Sequence, residues 1–487
     1  MRKGYSKQQR LDTPPIGQVQ LNLECRDRVI PVLRALQHVY SKRDVTDRIL
    51  DLIADDVNEK SRSDCGREGM DYWHILVLAA VRLGCNFTYD HLHDLAENHT
   101  TLRAIMGVGP WDKKTSFTWQ RIRDNVCKLK PATIDAISQI IVTEGHGIVP
   151  EAIEKVRADS FVIETNIHYP TESSLIRDGL EKILSICVPI AEARDVRGWR
   201  QHDHLWTKVK NLARQIDRIA AKKGPNYKKR MVAPYRKLLQ KARQIIERAR
   251  LLCVHQGLPA AVEADIFGDH TLQAFIVRTE RVMDTARRRV LLGETVPNRD
   301  KLFSMFEVHT QLYKRGKAGE PVQFGRQVLV FEDSEGFIIH RSLMPRDRCD
   351  SDVAVEQTKA VQKQFSGRIQ RLSFDRGFHS PRNQDALSEL VACLCLPKPG
   401  SKQSVKQLAA ASDDFHAARQ NHSGVESAIG ALQSGNGLER CRDRSEVGLE
   451  RYVSLAILGR NLHTLGRLLI AQQAPDSEAA RTRRKAA

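Results

Sequence analysis

The sequence predicts an α/β protein: a mixed sheet with helices on its faces, a helical N-terminal part and a long helical insertion after the first strand. Three observations carry this. Five short runs rich in β-branched and aromatic residues read as strands, the last two alternating with helical segments. About 150 residues without strand signals separate the first run from the second. Before the first run, apolar residues recur only at helical spacing. The chain has 487 residues, 41% of them hydrophobic, enough for real cores and more than one ordinary domain.

In chain order, residues 1–24 are polar, include Pro14-Pro15, and read as a loose basic arm. Residues 25–150 form a helical domain suited to DNA binding or dimerisation. Val45, Ile49, Leu52 and Ile53 make one apolar face; Ile75, Leu76, Leu78, Ala79 and Val81 make a more buried helix. Thr115-Ser116 is a candidate cap for a helix carrying Phe117, Trp119, Ile122 and Val126.

The first strand is Val156–Ile163. Gln327–Glu332 and Gly336–Leu343 flank Asp333-Ser334-Glu335 as a hairpin. Ile369–Phe374 and Leu390–Leu396 follow, with helical segments Asp352–Gln364 and Arg382–Glu389. The core is thus expected over 151–178 and 300–471, closed by an apolar helix from about Val447 to Ile470. A basic tail covers 472–487.

The insertion, 179–299, is the most regular part. Leu205, Val209, Leu212, Ile216 and Ile219 alternate spacings of four and three, as do Leu238, Ala242, Ile245, Ala249 and Leu252. Gly224-Pro225-Asn226 lies between, so two antiparallel helices meet along a heptad seam. Residues 191–250 hold 18 Lys and Arg against 5 Asp and Glu, which is +13 of the chain's +18. The bland reading is a solvated hairpin. The sharper one is a phosphate-contacting arm with Lys222, Lys223, Lys228, Lys229 and Arg230 at its tip.

The overall surplus, 77 Lys and Arg against 59 Asp and Glu, points to a polyanionic partner, nucleic acid first. No apolar run approaches the ~20 residues of a membrane span. The basic N-terminus lacks the apolar stretch of a secretory signal. Ten scattered cysteines without a CxxC pair suit reduced thiols, and the chain is expected to be cytoplasmic. GxxxxGK[ST], HExxH and GxSxG are missing, which removes support for an ATP-driven motor, a zinc protease and a serine hydrolase. His202 and His204 are two apart, hence about 200° apart on a helix, and read as solvated rather than metal-binding. Cys393 and Cys395 read as core packing.

Three acidic residues stand out by context. Asp159 lies in the first strand. Asp375 follows the fourth at its carboxyl end, where open sheets place ligands. Glu426 borders the stripe Val425, Ala428, Ile429 and Leu432, where a carboxylate is costly to bury without a counter-charge. Three oxygen donors and no thiolate suit Mg²⁺ or Mn²⁺ rather than zinc. Two such ions can activate a water or a 3′-hydroxyl and stabilise the leaving oxygen of a phosphodiester.

These residues sit in ordered motifs. Asp159-Ser160, followed by Ile167-His168-Tyr169-Pro170-Thr171-Glu172-Ser173-Ser174-Leu175, resembles the first-aspartate motif of bacterial insertion-sequence DDE transposases, especially the ISNCY type. Asp375-Arg376-Gly377-Phe378-His379-Ser380 resembles their second motif. His422-Ser423-Gly424-Val425-Glu426-Ser427 with Gly437-Leu438 resembles their third. Arg315-Gly316-Lys317 with Pro321-Val322-Gln323-Phe324-Gly325 resembles the start of their second strand, often with Glu in place of Gln323. Asn461-Leu462 also fits.

The resemblance spans about 70–470. It implies an RNase H-like catalytic core, with Asp159, Asp375 and Glu426 holding two Mg²⁺ or Mn²⁺ ions. It also implies cleavage and strand transfer at the terminal inverted repeats of an insertion sequence, by a homodimer or larger assembly on double-stranded DNA. Arg376 and His422 are expected to contact phosphate. Glu172 stands where relatives usually carry Asp. Arg419, His422 and Gln433 stand where a related Tyr, Arg and Lys pattern would surround Glu426, so no Tyr or Lys role is assigned there. The alternative is a non-catalytic DNA-binding protein derived from a transposon.

Overall fold

The computed structural model describes residues 13–59, 69–112, 114–255, 270–314, 321–400, 407 and 412–473. Residues 1–12 of the 1–24 arm, Arg315-Gly316-Lys317 and nearly all of the basic tail lie outside the described residues.

The chain is a mixed α/β protein with a seven-stranded sheet and a mostly helical N-terminal part. The helices are α1 (Val29–Ser41), α2 (Arg43–Asn58), α3 (Tyr72–Gly84), α4 (Tyr89–Asn98), α5 (Thr100–Ile105), α6 (Trp119–Val126) and α7 (Pro131–Ile148). Then come β1 (Lys155–Thr165), α8 (Glu172–Ala193), α9 (His202–Lys222), α10 (Tyr227–His255) and α11 (Leu272–Ala286). Next are β2 (Gln311–Lys314), β3 (Val322–Asp333), β4 (Ile338–Leu343), α12 (Asp350–Gln364), β5 (Arg371–Phe374), α13 (Pro381–Ser388) and β6 (Cys393–Cys395). The chain closes with α14 (Asp413–His422), α15 (Gly424–Gly430), β7 (Arg440–Cys441) and α16 (Glu446–Gln473).

The five strand runs expected from the sequence are all present. β2 and β7 are additional; four and two residues long, they carry too little alternation to be read in advance. The sheet order is β2-β3-β1-β5-β6, with β4 also on β3 and β7 also on β1. β5 is parallel to β1 and to β6, whereas β3 is antiparallel to β2 and β4. The helix expected near Phe117 starts two residues later: Thr118, not Thr115 or Ser116, caps it by accepting from the Arg121 amide.

Two compact units divide the chain: 1–164 with 327–487, and 165–326. In the first, helices α1–α7 share one continuous apolar core with β1, β3, β4 and β5. At its centre lies α16, apolar on most faces and packed on α1, α3 and α7. Backbones touch there: a Cβ at Gly466 would overlap the Pro31 carbonyl, and one at Gly459 would overlap Gly84. Asn461 ties α16 to the sheet, donating to the Ile338 carbonyl and accepting from the Ile338 amide, at 2.9 and 2.8 Å.

The second unit has its own core from α8, α9, α10 and α11. The α9–α10 pair is the hairpin the heptad spacing expects. Val209 and Ile216 face Leu238, Ala242, Ile245, Ala249 and Leu252 in that core. Lys223 and Asn226 turn the chain with φ of 39° and 56°. Thr171 and Ser174 form a capping box at the start of α8, so that half of the first motif has a plain structural role.

Candidate active site

The site begins with strand register. β1 and β5 run parallel, pairing Arg157 with Ser373 and Ala158 with Phe374. Asp159 and Asp375 are the next positions of the two chains. Neighbouring strands lie about 4.8 Å apart and side chains alternate faces. Val156, Ala158, Leu372 and Phe374 therefore fill the core on one face. Arg157 and Ser373 occupy the other, followed by the positions of Asp159 and Asp375. Asp159 accepts the Ser160 amide at 2.7 Å. Asp375 is exposed and heads a 3₁₀ turn, Arg376–Phe378, anchored by Phe378, whose ring packs 4.9 Å from that of Phe374. Arg376 is exposed in this turn.

Helices α14 and α15 bring in the third motif. His422 ends α14, and its Nδ1 lies 3.1 Å from Ser373 Oγ, one rung before Asp375. Burial pushes the His422 imidazole below its ordinary pKa; the carboxylates of Asp375 and Glu426 pull it up, and Arg157 pushes it down. His422 thus feels both acidic residues at once, and near neutral pH it is an uncharged imidazole. Glu426 is exposed in the first turn of α15. Neither the Asp375 nor the Glu426 carboxylate is ion-paired or hydrogen-bonded to another described residue.

The other acidic residues of these motifs are engaged. Glu172 pairs with Arg289, and Glu164 with Arg440 at 2.9 Å. Among the described residues, no three His, Cys, Asp or Glu side chains already stand grouped as a metal cage. The donor chemistry still fits a hard divalent cation: two aspartates come next after paired residues of adjacent strands, with a glutamate on a short helix close enough for its charge to act on His422.

Sequence reasoning passed over Arg157, Ser373 and Glu332. Arg157 Nε donates to Glu332 Oε2 at 2.5 Å, and its Nη1 to the Asn421 carbonyl at 3.0 Å. Glu332 is only 1% exposed; burial pushes its carboxyl up while Arg157 and Arg460 pull it down. A signal was available: Arg157 and Ser373 each stand two residues before a candidate aspartate, hence on its face.

The five basic tip residues, Lys222, Lys223, Lys228, Lys229 and Arg230, are all exposed at the α9–α10 turn, and among the described residues none is ion-paired. They belong to the second unit; the three acidic residues belong to the first. His202 Nδ1 donates to the Trp199 carbonyl, 2.9 Å away, in keeping with a helix-start role. No described helix is long and apolar enough to cross a membrane.

Comparison with protein-family models, curated proteins and solved structures gives no match for the chain.

Proposed function

We propose that this chain is a DDE-type transposase with an RNase H-like core, cutting and joining DNA at the ends of its own insertion sequence. The observation that carries the proposal is the register of β1 and β5. It pairs Ala158 with Phe374, the residues just before Asp159 and Asp375, across 216 residues of sequence, in two motifs that resemble those enzymes. A mixed sheet whose central strand β1 carries Asp159 and whose neighbour β5 leads into Asp375 also supports the RNase H-like reading.

Asp159, Asp375 and Glu426 would hold Mg²⁺ or Mn²⁺, two ions in all. Bound there, the ions would supply Lewis-acid activation of a water or 3′-hydroxyl and charge relief at the leaving oxygen. The chain's own residues do the rest. The carboxylates set where the cations, and with them the reacting phosphodiester, would stand. Neutral His422, held through Ser373, lines the same acidic face as a phosphate contact that adds no net charge. Arg376 and the five tip residues bind the DNA backbone, in an assembly of two or more copies on the element ends.

The test is cleavage and gel shift on the same end-sequence DNA with Mg²⁺ or Mn²⁺. Glu426→Gln keeps the side chain's size and removes its charge. Cleavage should drop by several orders of magnitude while DNA affinity persists or rises. Near-normal cleavage by this variant would remove Glu426 from the site. Binding by the parent protein without any cleavage would favour the non-catalytic DNA-binding alternative.

A further inference from the structure

We infer that Arg157 is a positioning residue: it bolts the α14–α15 junction to the sheet, and so sets where His422 and Glu426 stand relative to Asp159 and Asp375. The inference rests on the transposase reading of those acidic residues and adds a part which that reading does not need.

Three contacts converge on one guanidinium, carried by a strand in register with β5. Arg157 sits on β1 two residues before Asp159, paired in register with Ser373 on β5. Its Nε donates to buried Glu332 on β3, whose other oxygen lies 3.9 Å from Arg460 of α16. Its Nη1 donates to the carbonyl of Asn421, the penultimate residue of α14. Asn421 lies in the last turn of that helix, where a cation is favourable beside the terminal carbonyls. Finally, Gly424 lies flat against the same guanidinium; any Cβ at 424 would collide with it.

The consequence is geometric. Asn421 and Gly424 bracket His422, and Glu426 follows within one turn. Ser373, on the rung shared with Arg157, holds His422 from the other strand. The junction is therefore fixed from β1, from β5 and, through Glu332, from β3. Arginine is needed rather than lysine because two separate acceptors must be met by one rigid planar fork. A compact ammonium on a flexible stem neutralises Glu332 but does not span both. Without the fork, Glu426 keeps its charge and loses its place. A displacement of about 1 Å of a reacting group can cost roughly a hundredfold in rate.

The experiment compares Arg157→Lys, Gly424→Ala and the double variant with Glu426→Gln and the parent protein. Hydrogen exchange by mass spectrometry is read over the whole chain, alongside cleavage and gel shift on element-end DNA. Arg157→Lys and Gly424→Ala should each speed exchange within 413–430 while leaving α1, α3 and α7 protected. Each should slow cleavage about 10- to 100-fold with DNA affinity unchanged. The double variant should lose less than the product of the two, because the slimmer lysine gives way to the new methyl.

Unchanged exchange over 413–430 in both variants overturns the inference, whatever the chemistry. So does an increase spread evenly through the first unit, which marks a general structural role. If the exchange pattern is as expected but Glu426→Gln cuts like the parent, the clamp stands and the assignment of Glu426 falls.

Discussion

The His463 imidazole is pushed down to about 4, by burial first and then by Arg460, Arg467 and Arg28. An unfolded chain takes up this proton near pH 6.5. Stability from a neutral His463 is therefore complete above about pH 6.5 and is lost as pH falls from there towards 4, by up to about 3 kcal/mol. His463→Gln should flatten this fall, measured as urea midpoints between pH 4.5 and 7.5; equal slopes in both proteins would refute it. At the same scale, the motifs marked Asp159, Asp375 and Glu426 as candidates, but not the residues packed around them. Arg157 and Glu332 stand far apart in sequence, and nothing local marks either as one end of a buried ion pair. Gly424 read as part of a motif, whereas its physical reason is the guanidinium against it.

Among the elements, α16 and the α9–α10 hairpin test different forces. α16 meets α1 backbone to backbone, so Gly466→Ala should destabilise by about 2–4 kcal/mol, as overpacking without room to relax does. Gly147→Ala in α7, where a Cβ meets nothing, should be neutral or stabilising by up to about 1 kcal/mol. Thermal unfolding of the two variants checks the contrast; equal shifts would mean that α16 is not held by that close approach. For the hairpin, replacing all five tip cations with Gln should lower the slope of log affinity against log salt by about 0.9 for each phosphate no longer neutralised. An unchanged slope would make the arm a solvated face. The hairpin was readable because a heptad seam repeats over ten positions. β2 and β7 were not, because their pairing is dictated by longer neighbours rather than by their own few residues.

On the scale of the whole molecule, two separate apolar cores are the dominant fact. The expectation is two cooperative units in denaturant. Exchange protection of the α8–α11 amides should vanish at a different urea concentration from that of α3, α7 and α16. Simultaneous loss across both sets would show one folding unit. Helical segments, strand runs and the long insertion after the first strand could be read from periodicity. The merging of the N-terminal helices with the sheet's core could not. Their apolar faces say that they pack, not against what, and the answer lies in α16, more than 300 residues away in sequence.

The β1–β5 pairing also has a cost in time. A ribosome adds about 5–20 residues per second, so β1 waits roughly 10–40 s for the strand that will lie beside it. Throughout that interval Val156 and Ala158, buried in the finished protein, have no β5 beside them. The insertion made meanwhile consists of local helix pairs, which close in far less time. The hairpin thus folds while the strand that carries Asp159 is still waiting. The yield of folded protein should depend less on final stability than on how well the nascent strand is kept from sticking to its neighbours, so a holding chaperone should raise it.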